Sequence, residues 1–172
     1  PARWYSWGDK LGVLVWQDMP SGDKSPQWQA HQYFDGSEVH RSAESEANFR
    51  HEWKEIMDEL QPYPSIVTWT PFNEAWGQFK SPEIVAWTQQ YDPTRLVNPA
   101  SGGNHYLSGD MLDLHNYPEP KLYLYDANRP TVLGEYGGLG LPVKEHLWQD
   151  KKNWGYVEFK NSKEVTDRYV QY

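Results

Sequence analysis

Two continuous apolar runs and one periodic stripe set the pattern of this chain. Ile66, Val67, Thr68 and Trp69 form a β-branched and aromatic run, as expected of a buried parallel strand. Leu11 to Trp16 (LGVLVW) is a second run without alternation, predicting another strand covered on both faces. Between them, Phe49, Trp53, Ile56, Met57 and Leu60 recur at helical spacing from Glu44 to Leu60, predicting one amphipathic helix. Glu44 and Glu46 suit its N-terminal end, and Pro62 and Pro64 stop it. The segment from Leu11 to Thr70 therefore reads as a β-α-β unit.

The same grammar continues. Ser81-Pro82 reads as an N-cap followed by proline at the first helical position, with Ile84, Trp87, Thr88 and Tyr91 on the buried side. Short strands are predicted at Leu96–Asn98, Met111–His115 and Thr131–Glu135, and a last amphipathic helix from Ser162, with Val165, Tyr169 and Tyr172 on one side. The polar and aromatic loop from Met19 to about Arg41 is of a length that is often functional, with a surface insertion as the alternative. No fixed-length repeat occurs. Strands alternating with helices predict an α/β fold, a parallel sheet or a (β/α) barrel.

Polar residues stand just beyond the strand ends. Pro71 ends one ladder because it has no N–H to donate, and Asn73 and Glu74 follow, near Trp69, Phe72 and Trp76. Glu135 ends another strand among Gly134, Gly137 and Gly138, which would allow a tight turn and close approach to a ligand. In α/β folds active sites are built at these ends. Each glutamate alone could equally be a helix cap or a turn residue. As a pair in one cleft they suit glycosidic bond cleavage, where one carboxyl donates a proton and the other attacks or stabilises the anomeric carbon.

Composition narrows the partners. The 172 residues carry a formal charge of −8, which argues against nucleic acid and anionic membrane surfaces. No long apolar run exists to span a bilayer. Cysteine is absent, so there is no thiol chemistry, and the compartment is left open. Aromatic residues make up 16 % of the chain, with ten Trp and twelve Tyr; most are expected in the core, and a few to stack on sugar rings. The six histidines show no metal-ligand spacing, so neither metal nor cofactor is expected. His51 is expected in solvent, whereas His105 and His146 stand near loops that could line a cleft. The start, PARWYSWGDK, reads as the middle of a longer chain.

The blocks ARWYSWGDKLGVLVWQDMPS, PSIVTWTPFNEAWGQ, DPTRLVNPASG, DLHNYP and VLGEYGGLGLP together resemble the catalytic barrel of glycoside hydrolase family 2, which includes β-galactosidases, β-glucuronidases and β-mannosidases. The resemblance implies a (β/α)8 TIM-barrel type fold, a carbohydrate substrate and a retaining mechanism. It implies Glu74 as general acid/base, Glu135 as nucleophile, Asn73 as a ligand of the sugar 2-hydroxyl and Tyr117 as the residue that tunes the nucleophile. His115 would line the sugar subsite and Asp18 would face the same mouth; Trp76 joins them as a substrate-binding candidate. A full barrel needs about 250 residues, and the likeness covers strands three to seven only. Residues 1–172 are therefore expected to be a partial catalytic barrel, whose missing strands and β-sandwich domains belong to the same enzyme, and which is inactive alone. The alternatives are a non-catalytic carbohydrate-binding fragment or pseudo-enzyme, and an endo-acting retaining barrel hydrolase.

Overall fold

The computed structural model describes residues 1–20, 22–149 and 153–172. In chain order the elements are α1 (Ala2–Leu11), β1 (Val15–Asp18), α2 (Ala43–Leu60), β2 (Ile66–Thr70), α3 (Ser81–Tyr91), β3 (Leu96–Val97), β4 (Leu112–Asn116), β5 (Thr131–Tyr136), β6 (Leu139–Gly140), β7 (Val157–Glu158) and α4 (Ser162–Gln171). Every strand pairing is parallel: β1-β2-β3 form one sheet, β4-β5 a second and β6-β7 a third. Among the described residues no closed barrel forms, and the expected (β/α)8 architecture is present as open segments. No helix of the described residues is long and apolar enough to cross a membrane.

The helix predicted from Glu44 to Leu60 forms because its stripe has somewhere to go. Ser42 caps it, its side chain accepting from the Ser45 N–H at 3.1 Å. Phe49, Trp53 and Met57 are fully buried against the sheet, with Ile56 and Leu60 partly covered. Trp53 sits edge-on to Trp69 of β2, ring centroids 5.7 Å apart, and donates its indole N–H to Thr88 Oγ1 of α3 at 3.0 Å. One side chain thus joins α2, β2 and α3. Arg95 closes the other end: its guanidinium donates to the carbonyls of Ile66, Gln61 and Tyr63 and pairs with Asp92 at 2.8 Å. Burial works against the Asp92 charge, yet donors from Thr94, Trp69 and Arg95 outweigh it and hold the carboxyl at about 2.

The run Leu11–Trp16 is not one strand. Leu11 is the last residue of α1, and Gly12, at φ 70, closes that helix with N–H bonds back to Asp9 and Gly8 carbonyls. Only Val15 of β1 is buried; Trp16 is 42 % exposed, because β1 is the outer strand of its sheet. The cap of α3 also differs. Lys80, at φ 42, occupies the N-cap position, and Ser81 is the first helical residue. Its N–H and hydroxyl both donate to Glu38, so a carboxylate from the Met19–Arg41 loop does the capping. Tyr91 points outward rather than into the core, and bonds Asp58. In α4 no residue is fully buried and Tyr169 is exposed.

Replacing Trp53 by alanine removes a fully buried indole and leaves Thr88 without its donor. Unfolding in urea is expected to show a loss of about 3–5 kcal/mol, a shift large enough to read from the midpoint alone. A loss below ~1 kcal/mol would show that α2 is not held through this residue.

Candidate active site

Parallel strands bring their C-terminal ends to one side of the molecule, and the polar residues that follow them converge there. Phe72 and Phe79 are buried on either side of the Asn73–Gln78 loop and pack on Phe49 at 5.4 and 5.0 Å. Trp69 and Phe72 therefore belong to the core and not to a cleft wall, while Trp76 is 59 % exposed. Between these anchors Glu74 and Ala75 have φ of 48 and 66. For residues with a Cβ such conformations cost about 1–3 kcal/mol each and persist only where surrounding contacts impose them. The contacts are backbone bonds to one residue: Glu74 N–H donates to the Ser101 carbonyl, and Ser101 N–H donates to the Phe72 carbonyl, both at 2.9 Å.

Ser101 is also where the second half of the site attaches. Its hydroxyl lies 2.8 Å from His115 Nε2 and 2.8 Å from Asp113 Oδ2. His115 is at the end of β4, with its side chain 1 % exposed. A Cβ on Gly102 would fall 2.1 Å from the His115 ring, so only glycine allows the imidazole to lie against that turn. On its other side, His115 Nδ1 reaches Glu74 Oε1 at 3.0 Å and Glu135 Oε2 at 3.2 Å. Nδ1 and one oxygen of each glutamate all lie within 4.8 Å of one another. A divalent cation can use such a grouping; in the arrangement seen here Nδ1 shares a hydrogen bond with Glu74. The Tyr117 hydroxyl donates to Glu135 Oε2.

Asn73 is half-buried, and its Oδ1 is buried with no hydrogen-bond partner among the described residues. Asp18 ends β1 on the same side. Although the residue is open to solvent, partial desolvation, with Glu135 and Asp113 nearby, pushes its carboxyl up to about 6. Burial, with the Glu135 hydrogen bond, raises the Tyr117 hydroxyl. The sites predicted from sequence thus gather at one face: His115 contacts Glu74 and Glu135, Tyr117 contacts Glu135, Asn73 adjoins Glu74, and Asp18 faces them through charge.

Other sequence readings change. Gly134 makes room not for a ligand but for Asp113, whose Oδ1 would lie 2.3 Å from an added Cβ and accepts the Gly134 N–H at 2.7 Å. His105 is buried and bonds the Ala30 carbonyl, its imidazole driven down to about 4 by burial; it does not line the cleft. His51 and His146 are exposed. The long loop is tied over the site's rear by Trp28, whose indole donates to the Gly102 carbonyl at 3.0 Å; Ser21 within it lies outside the described residues.

Asp113, Ser101 and Asn98 were not predicted. Asp113 is buried, which raises its carboxyl, while Ser101, Asn98 and Gly134 donate to it and pull it back. The alternation in Asp113-Leu114-His115 was the available signal. Tyr156 was also missed; it stacks on Tyr117 with centroids 4.3 Å apart.

Glu74 lies in the loop after β2, and Glu135 near the C-terminal end of β5. The family described as glycosyl hydrolases family 2, TIM barrel domain, matches residues 1–138. The chain belongs to this family. Comparison with curated proteins returns no match. The family 2 match covers β1 to β5 and every residue of the cluster; Tyr156, β6, β7 and α4 lie beyond it.

The raised Asp18 carboxyl has a consequence for stability. Its folded value, about 6, exceeds the ordinary 3.8, so its contribution is full below the unfolded value and is lost as pH rises through about 6. Asp18→Asn is expected to flatten that part of the stability profile, measured as urea midpoints from about pH 4 to 7. Parallel profiles for the two proteins would rule out the shift.

Proposed function

We propose that this family 2 chain carries the reaction centre of a retaining exo-β-glycosidase that removes terminal β-linked sugars. The observation that carries the reading is the closeness of the two carboxyl groups: Glu74 and Glu135 have oxygens within 4.8 Å at one end of the parallel strands. Retaining sites space their carboxyl groups by about 5–5.5 Å, whereas inverting sites leave roughly 6.5–9.5 Å for a water.

In this reading Glu135 attacks the anomeric carbon while Glu74 passes its proton to the departing glycosidic oxygen. The carbon–oxygen bond to the leaving group breaks as the bond to Glu135 forms. Water then enters, gives one proton to Glu74, and its oxygen displaces Glu135 from the anomeric carbon. Tyr117 supports the role of Glu135 by directing its hydroxyl at the attacking carboxylate. Asn73 is proposed to bind the sugar 2-hydroxyl, for which its unpartnered Oδ1 offers an acceptor, and His115, Trp76 and Asp18 to flank the sugar.

We further propose that the chain works as part of a larger barrel, whose other strands and β-sandwich domains complete the pocket. An eight-stranded barrel needs about 250 residues, and the separate parallel sheets support that view. The non-catalytic reading, a carbohydrate-binding fragment, is favoured by the open barrel for the chain in isolation.

The test is turnover of a panel of nitrophenyl β-glycosides by the full-length enzyme. Glu135→Gln is expected to lower kcat by at least ~10³-fold, and Glu74→Gln by about 10²–10⁴-fold with partial recovery on adding azide. The sugar of the first product should keep the β configuration by NMR. An α product, or undiminished turnover in Glu135→Gln, overturns the assignment.

A further inference from the structure

Resting on the glycosidase reading above, we propose that His115 is a positioning residue that keeps the site's single proton on the Glu74 side of the carboxylate pair, with Ser101 and Asp113 fixing its tautomer. The relay Asp113–Ser101–His115 lies behind both glutamates.

Counting hydrogens gives the assignment. Asp113 accepts from Asn98 Nδ2 at 2.7 Å, Ser101 Oγ at 2.8 Å and Gly134 N–H at 2.7 Å. Three donors on one buried carboxyl fit its ionised form. Ser101 has one hydroxyl hydrogen, and Asp113 takes it. The serine oxygen can then only accept at His115, so Nε2 carries a hydrogen. Nδ1, on the far side of the ring, meets Glu74 Oε1 and Glu135 Oε2. A bare nitrogen between two carboxylates would set three acceptors against one another, so one hydrogen must lie among these atoms.

Tyr117 decides where. Its hydroxyl already donates to Glu135 Oε2, which favours the charged form of that carboxyl. Nδ1 is also closer to Glu74, at 3.0 Å against 3.2 Å. The hydrogen therefore belongs to the Glu74–His115 contact, and Glu135 stays ionised. That is the division of roles that the first chemical step requires. When Glu74 gives its proton to the leaving oxygen, the Nδ1 lone pair is left facing a bare carboxylate. The water that enters next restores the hydrogen as its own proton moves to Glu74. His115 takes no part in bond making; it sets which carboxyl is acid and which is nucleophile.

The groups facing the imidazole come from several elements. Glu74 follows β2, Glu135 ends β5, Asp113 shares β4, and Tyr117 follows it. Asp18 at the end of β1 acts on it through charge, the buried His105 is nearby but held neutral, and the Tyr123 hydroxyl bonds the His115 carbonyl. Of these, among the described residues, only Glu74 and Ser101 hydrogen-bond the ring nitrogens, while Glu135 Oε2 lies 3.2 Å from Nδ1.

Two measurements on the full-length enzyme test the relay. The first is ¹⁵N NMR of histidine-labelled protein, which reads the tautomer whether or not any substrate turns over. A His115 signal with hydrogen on Nε2 is expected, with loss of that preference in Ser101→Ala. A ring protonated on Nδ1 with a bare Nε2 overturns the proposal. The second is the leaving-group dependence. Ser101→Ala and His115→Asn should lose about 10–100-fold in kcat/KM on alkyl β-glycosides but under ~3-fold on dinitrophenyl β-glycosides, whose departure needs no acid. Equal losses on both substrates would reduce His115 to a wall of the sugar pocket. Should Glu135→Gln prove harmless, the glycosidase reading fails while the NMR result still stands. Should Glu135→Gln be inactive and the variants show no split, the glycosidase reading survives and the relay falls. If His115→Asn does not fold, Ser101→Ala and the wild-type spectrum still decide.

Discussion

Everything at the functional end of this molecule depends on placing one imidazole between two carboxylates. The ring of His115 is almost fully buried, with Nδ1 at hydrogen-bond distance from Glu74 and Glu135. Burying a polar ring is costly unless its nitrogens are satisfied, and the chain arranges this with very little material. Ser101 satisfies one nitrogen, ties the backbone of the Glu74 loop, and hands its own hydrogen to Asp113. Gly102 supplies the space, and Gly134 brings Asp113 within reach of the strand that bears Glu135. The positive φ of Glu74 and Ala75 is then understandable as local strain imposed by the same hub.

The aromatic core explains why such strain can be carried. Trp53, Trp69, Phe72, Phe79 and Phe49 form a dry block under the loop, with both ends of the Asn73–Gln78 segment sunk into it. Close packing of this kind resists small displacements, so a loop fixed at Phe72 and Phe79 has little freedom to relax. The cavity of about 690 Å³ near Ile66, Arg95, Leu96 and Asp110 lies at the opposite ends of β2 and β3 from Glu74. It holds none of the clustered residues.

Sequence carried the parts of this arrangement that are local. The stripe of α2 and the run of β2 extend over five or more residues, enough to stand out, whereas β4 and β5 offer only short apolar stretches. Glu74 and Glu135 are legible because each stands shortly after an apolar stretch. What escaped reading was either short or long-range. In α1, Trp4, Trp7 and Leu11 recur at helical spacing but are half or more exposed, and only Gly8 is buried, so the stripe does not mark a core-facing helix. Its end and the start of β1 fuse into a single run, LGVLVW, in which Gly12 is a stop and not a strand residue. Strands β6 and β7 are two residues each. Glu38 caps a helix that begins 43 positions later, and Ser101 meets Asp113 and His115 only through folding.

Tyr156 shows how far a functional boundary can lie from a boundary of similarity. Its ring rests on Tyr117, and its backbone N–H bonds the Gly138 carbonyl at 2.8 Å, beside the β6-β7 pairing. The family match ends at residue 138, yet the ring that steadies the hydroxyl on Glu135 comes from beyond it. Cutting the chain where recognisable likeness stops would leave both glutamates in place and strip the backing from the tyrosine between them. The cluster, counted by contact, is longer than the unit counted by resemblance.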